Sequence, residues 1–228
     1  MIAENRFAGI AALIGERSRA VMLWHLLGDK ALTATELAMC ANVSPQSASM
    51  HLNKLVTAGM LSVEKLGRHR YYRFAGPEAA YAVEAIANLL PAESGVRASV
   101  VRGVDDIRYC RTCYDHLAGR VGVLLTDRLL THNLILRAGS EFDASRKGAG
   151  WFRSMGIDVA ELRNLRRDFA RACLDWSERR PHLAGALGAA LLESMLGSDW
   201  IRRVKQSRSV ILTPKGRRRM YELLGLEV

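Results

Sequence analysis

Nowhere in this 228-residue chain do about 18 apolar residues follow one another, the length an α-helix needs to cross a bilayer. The N-terminus also lacks the charged lead, apolar core and small-residue cleavage site of a secretory leader. A soluble, cytoplasmic protein with no membrane partner is therefore expected. Cysteine is scarce, at four residues, which excludes a disulfide framework and leaves reduced thiols or ligands. No glycine-rich phosphate loop, nucleophile elbow or clustered acid pair is present, so an enzyme is not expected. What is abundant is apolar residues, 49% of the chain, enough to build cores in two compact domains.

The most informative stretch runs from Thr33 to Phe74. Thr33 can cap a short helix from Ala34 to Cys40 with Glu36 at its third position, a capping box that satisfies otherwise orphan amides. Ala41 to Val43 make a turn. Ser44 then caps a second helix with Pro45 at its first position, where a missing N–H costs nothing, running to about Ala58. Apolar Ala48, Leu52, Leu55 and Val56 fall on one stripe and leave Gln46, Ser47, Ser49, Met50, His51 and Lys54 on the other. Glutamine pairs with adenine, small hydroxyl residues reach bases or phosphates, and a helix N-terminus favours phosphate. After Gly59 an alternating strand reaches Leu66, Gly67, Arg68 and His69 make a tip, and Arg70 to Phe74 return. A basic hairpin beside a recognition helix is a wing. The DNA-facing set is then Ser44, Gln46, Ser47, Ser49, His51 and Lys54 with Lys65, Arg68, His69 and Arg70.

Roughly residues 4 to 92 resemble ArsR-type repressors, with Ser44 to Ala58 in the place of the recognition helix and Lys65 to Tyr71 in that of the wing. The resemblance implies a homodimer on an inverted-repeat operator in double-stranded DNA. It implies an interface formed by the first helix (about Asn5 to Ile14) and the helix after the wing (Pro77 to Leu90), the latter offering Tyr81, Val83, Ile86, Leu89 and Leu90. Metal-responsive members pair cysteines in the first helix of the motif; here Cys40 stands alone, as a small core residue.

Beyond residue 92 the chain changes character. Residues 1–95 hold 9 Lys/Arg against 8 Asp/Glu, net +1, whereas 96–228 hold 24 against 15, net +9. Such basic clusters suit phosphate contact or form a solvated face. A segment also recurs: His116-Leu-Ala-Gly119-Arg-Val-Gly122 returns 66 residues later as His182-Leu-Ala-Gly185-Ala-Leu-Gly188. This predicts two related helices whose glycines pack against each other. The last copy ends in a strand running into a helix capped by Thr213 with Pro214 at its first turn, the exit of a winged-helix module. The expected C-terminal domain, 93–228, is thus a pair of helix-plus-hairpin units at about 108–157 and 171–228, with Gly139 to Gly150 as a flexible loop. The fold class is mainly α with small β-hairpin wings, α+β.

The remaining chemistry lies at Cys110-x-x-Cys113-x-x-His116, whose donors share one face if the segment is helical. Cys173 or His182 from the second copy complete a tetrahedral set for zinc or another soft ion. Redox-sensitive thiols and plain structural residues are the other readings of the same cluster. No cofactor is established from the residues alone. The reading that accounts for most of the chain is a homodimeric DNA-binding repressor, released by an unknown effector sensed in the C-terminal domain. The alternative is a metal- or thiol-binding effector module acting through a protein partner.

Overall fold

The computed structural model describes residues 2–28, 31–66, 69–90, 107–205 and 207–228. Two helices open the chain, α1 (Ile2–Gly15) and α2 (Arg17–Leu26), joined at Glu16. Glu16 is extended and its carboxylate accepts the amides of Ser18 (3.0 Å) and Arg19 (2.9 Å), capping α2. Arg19 is buried, and its guanidinium donates to the carbonyls of Leu13 (2.7 Å) and Ala12 (3.1 Å). The last carbonyls of α1, which no helical amide can reach, are satisfied this way.

A short strand β1 (Leu32–Thr33) leads into α3 (Ala34–Ala41), and the capping box is formed as expected. The Thr33 amide donates to Glu36 (2.7 Å), and the Glu36 amide to the Thr33 hydroxyl (3.3 Å). Asn42 adopts the left-handed conformation that turns the chain into α4 (Pro45–Thr57), capped by Ser44. The hairpin β2 (Leu61–Leu66) and β3 (His69–Phe74) pairs in register from Leu61↔Phe74 to Leu66↔His69, and β1 joins the free edge of β3. Helix α5 (Pro77–Ala87) follows. Met22, Leu23, Leu26, Leu37, Ala48, Leu52, Leu55 and Tyr72 bury the core of this unit, which closes at Ala87, ahead of the expected boundary at 92.

The second unit spans 88–228 and is built twice. The first copy runs β4 (Arg111–Cys113), β5 (His116–Ala118), α6 (Gly119–Thr131), β6 (Ile135–Ala138), β7 (Glu141–Ala144) and α7 (Arg146–Ser154). After the connecting α8 (Val159–Arg163), the second runs β8 (Ala172–Leu174), β9 (Pro181–Leu183), α9 (Gly185–Gly197), β10 (Ile201–Arg203), β11 (Val210–Leu212) and α10 (Pro214–Leu224). The copies match in detail. Gly119 and Gly185 start their helices at φ +75° and +78°, values an L side chain rarely adopts. Ser145 and Thr213 cap the final helices through the amides of Gly148 and Gly216.

Three expectations are corrected here. Cys110 to His116 is no helix: β4 and β5 form a two-stranded hairpin, and the repeated His-Leu-Ala is its second strand. The repeat glycines do not pack against each other. A Cβ on Gly122 would lie 2.6 Å from the Leu117 carbonyl and 3.9 Å from His182 Cβ, and one on Gly188 2.5 Å from the Leu183 carbonyl and 3.2 Å from His116 Cβ. Each helix therefore sits on its own preceding strand and beside the histidine of the other copy. Residues 139–150 are no flexible loop either, but a hairpin turn, β7 and the start of α7, held by buried Phe142 and the Ser145 cap. The hairpin-to-helix exit of a winged module is present in both copies; in front of it stand a β-hairpin and a single helix.

Candidate functional sites: a groove-facing helix and a cysteine-histidine cluster

On α4 successive residues turn by about 100°. Ala48, Leu52 and Leu55 are fully buried, so the side facing away from them carries Gln46, Met50 and Asn53, all exposed. Ser44, Ser49 and Lys54 are exposed and Ser47 half-buried; the Ser49 hydroxyl donates back to the Pro45 carbonyl at 2.9 Å. Lys65, His69 and Arg70 are exposed on the wing, while Arg68 lies outside the described residues. A groove of about 580 Å³ runs between α4 and the wing, lined by Thr35, Ser49, Met50, Asn53, His69 and Arg70 among others.

His51 does not belong to that face. It stands next in sequence to buried Leu52 and is turned inward, with Nδ1 3.3 Å from Arg19 and 3.4 Å from the Glu16 carboxylate. That cluster joins α4 to the α1–α2 junction. Asn53 and Thr35 were missed from sequence. Asn53 was readable from its spacing, since it lies seven residues, two turns, after Gln46.

In the second unit Cys113, His116, Cys173 and His182 come together, each offering one donor atom, and all four donors lie within 4.8 Å of one another. The hairpins place them: Cys113 is the cross-strand partner of His116, and Cys173 of His182. The imidazoles face each other with Nε2 atoms 3.1 Å apart, and both histidines are buried. Behind them, the Nδ1 of His116 lies 3.4 Å from Asp115 and that of His182 3.6 Å from Asp175. The Cys113 thiol is pushed up to about 11, first by the hydrogen bond it shares with Cys173 and then by burial, against the pull of both histidines.

Asp175 is wholly buried and anchors the loop between β8 and β9. It accepts from Arg111 (2.9 Å), the Gly119 amide (2.8 Å) and the Ser177 amide and hydroxyl (2.9 and 2.7 Å). Burial alone would raise its pKa; Arg111, His182 and these donors outweigh that and hold it at about 2.

Cys110 is not part of the group. In extended chain, residues three apart point to opposite sides, so Cys110 enters the apolar core while Cys113 faces the cluster. Burial pushes its thiol up to about 12. Its counterpart in the second copy is Ala170, also buried: the carbonyls just before each, Tyr109 and Phe169, accept the equivalent helix amides of Val121 and Leu187. Cys40 is half-buried on α3 and joins no cluster of donors among the described residues.

The helix-turn-helix domain family matches residues 14–64. Over 221 residues the chain is 41% identical to an uncharacterised HTH-type transcriptional regulator, YdfF, of Bacillus subtilis (strain 168), covering 97% of this chain and 98% of that one. Solved structures resemble part of the chain. The homodimeric winged helix-turn-helix DNA-binding domain of Mb0332 from Mycobacterium bovis, a possible ArsR-family regulator, is 21% identical, covering 37% of this chain and 78% of that one (TM-score 0.35). The transcriptional repressor BigR of Xylella fastidiosa is 19% identical over 40% of this chain and 91% of that one (TM-score 0.36).

Proposed function

The chain belongs to the helix-turn-helix transcriptional regulators, and from that premise we propose that it is a homodimeric repressor of ArsR type that lays α4 in a major groove. Gln46, Ser49 and Asn53 face base edges, the α4 N-terminus and Ser44 meet a phosphate, and Lys65 with Arg70 reaches the flanking backbone. The observation that carries this reading is the groove between α4 and the wing, where polar donors line both walls. Dimerisation is supported by α1, on which Phe7 is 76% exposed and Ile10 is exposed as well. Effector sensing falls to the second unit, supported by a cleft of about 400 Å³ beside His116 that is lined by Asp115, Arg167 and Arg171.

Selection of duplexes from a random pool by the full chain, followed by fluorescence anisotropy, tests the proposal. An inverted-repeat consensus bound by two chains per duplex is expected, at least about 10³-fold tighter than random duplex at the same salt. Binding without sequence preference would overturn it.

A further inference from the structure

We propose that Cys113, His116, Cys173 and His182 hold one zinc(II) ion, a closed site of two thiolates and two imidazoles that ties the two copies of the second unit together. The proposal goes beyond DNA binding and does not depend on it. Its strongest support is the geometry of the four donors. Each imidazole has a carboxylate near Nδ1, Asp115 at 3.4 Å from His116 and Asp175 at 3.6 Å from His182, the place from which a carboxylate orients a metal-bound histidine. The two Nε2 atoms face one another across 3.1 Å in a buried place. A cation between them would be reached by both, and the two sulfur atoms already border the same point.

The dimensions fit. Tetrahedral zinc with Zn–N near 2.0–2.1 Å and Zn–S near 2.3 Å spaces its ligand atoms by about 3.3–3.8 Å, against 3.1 Å between the nitrogens and at most 4.8 Å anywhere in the group. Soft sulfur with imidazole selects zinc over magnesium or calcium. Four protein ligands leave no open position, which makes the site structural. On loading, the two thiol protons pass to solvent and each imidazole binds as the neutral ring through Nε2, its one proton then on Nδ1.

The duplication points the same way. Each hairpin contributes one cysteine and one histidine from paired positions. The cysteine at the ligand position is present in both copies, while the core position is Cys110 in one and Ala170 in the other.

The full chain, purified under reducing conditions, is analysed for metal and then titrated with cobalt(II) after chelation. One zinc per chain is expected, and one equivalent of cobalt giving the intense visible bands of tetrahedral cobalt with thiolate charge transfer. Cys113→Ser and Cys173→Ser should lose the charge transfer, whereas Cys110→Ala and Cys40→Ser keep it. Asp115→Asn, which keeps the four ligands and removes the carboxylate behind His116 together with its exposed pair to Arg167, should weaken zinc by about 10–100-fold; this variant decides the matter if the serine variants do not fold. A folded, reduced chain without tetrahedral cobalt bands, bands unchanged in Cys113→Ser, or a zinc affinity unchanged by Asp115→Asn would overturn the site. The measurement uses no DNA, so its failure leaves the repressor reading standing.

Discussion

Gln46 and Asn53 lie two helical turns apart on the exposed side of α4, opposite buried Ala48, Leu52 and Leu55. Glutamine or asparagine paired with adenine discriminates by about 1–3 kcal/mol per base. Gln46→Ala and Asn53→Ala are each expected to relax the selected consensus at one position per half-site by that amount, leaving the melting temperature unchanged. His51→Ala should do the reverse: it strips a partner from Arg19 and Glu16, lowering stability while the consensus stays as it was. Competition anisotropy with single-base variants separates the two patterns. The buried stripe of α4 was legible because helical periodicity over thirteen residues is a strong signal. The inward turn of His51 was not, because at the edge of a stripe the neighbouring helix decides, and Glu16 and Arg19 are more than thirty residues away in sequence.

Elements whose ends are fixed by local chemistry were readable: the Thr33–Glu36 box, the Ser44-Pro45 start of α4 and the Thr213-Pro214 start of α10 all stand where their capping residues place them. The three-residue strands of β4, β5, β8 and β9 carry too few residues to show a period of two, which is why His-Leu-Ala-Gly read as helix. The glycines in the first turn of α7 and α10 do have a sharp structural meaning, and the repeat doubles it. A Cβ on Gly148 would sit 1.8 Å from the Leu134 carbonyl, and one on Gly216 2.0 Å from that of Trp200. Backbone cannot yield that distance without shifting a helix. Gly148→Ala and Gly216→Ala are therefore expected to destabilise the second unit by at least about 3 kcal/mol each. Gly150→Ala, in the same helix as Gly148 but with nothing within 4 Å, should instead stabilise by about 0.5–1 kcal/mol. Urea unfolding of the three variants checks the contrast, and equal effects would refute the close approach.

At the scale of the whole chain, part of the basic character of residues 96–228 is engaged within the unit, while the net excess of +9 remains after every acidic residue is counted. Arg163, Arg167, Arg180, Arg202, Arg203 and Arg219 each pair with an acidic neighbour, and Arg111 with buried Asp175. Exposed pairs of this kind contribute about 0–1 kcal/mol each and serve mainly to cancel charge. In the proposed reading sequence-specific affinity comes from α4 and the wing, and a single small module gains most by being doubled. The surface proposed for doubling is apolar: among the described residues Phe7 and Ile10 on α1, and Ile86 on α5, are exposed, whereas Val83, expected at the same seam, is buried inside the unit. Covering an exposed phenylalanine is worth about 1.5–3 kcal/mol, and linking two half-site contacts multiplies affinity by about 10²–10⁴. Phe7→Glu, and independently Ile86→Glu, should convert a dimer into a monomer in sedimentation at micromolar concentration, with helical circular dichroism retained. Affinity for the inverted repeat should fall by at least about 10²-fold, while affinity for an isolated half-site stays the same. A Phe7→Glu chain that remains dimeric and binds the repeat as before would place the interface elsewhere, and loss of half-site binding as well would mean that α1 supports the recognition helix instead of a second copy.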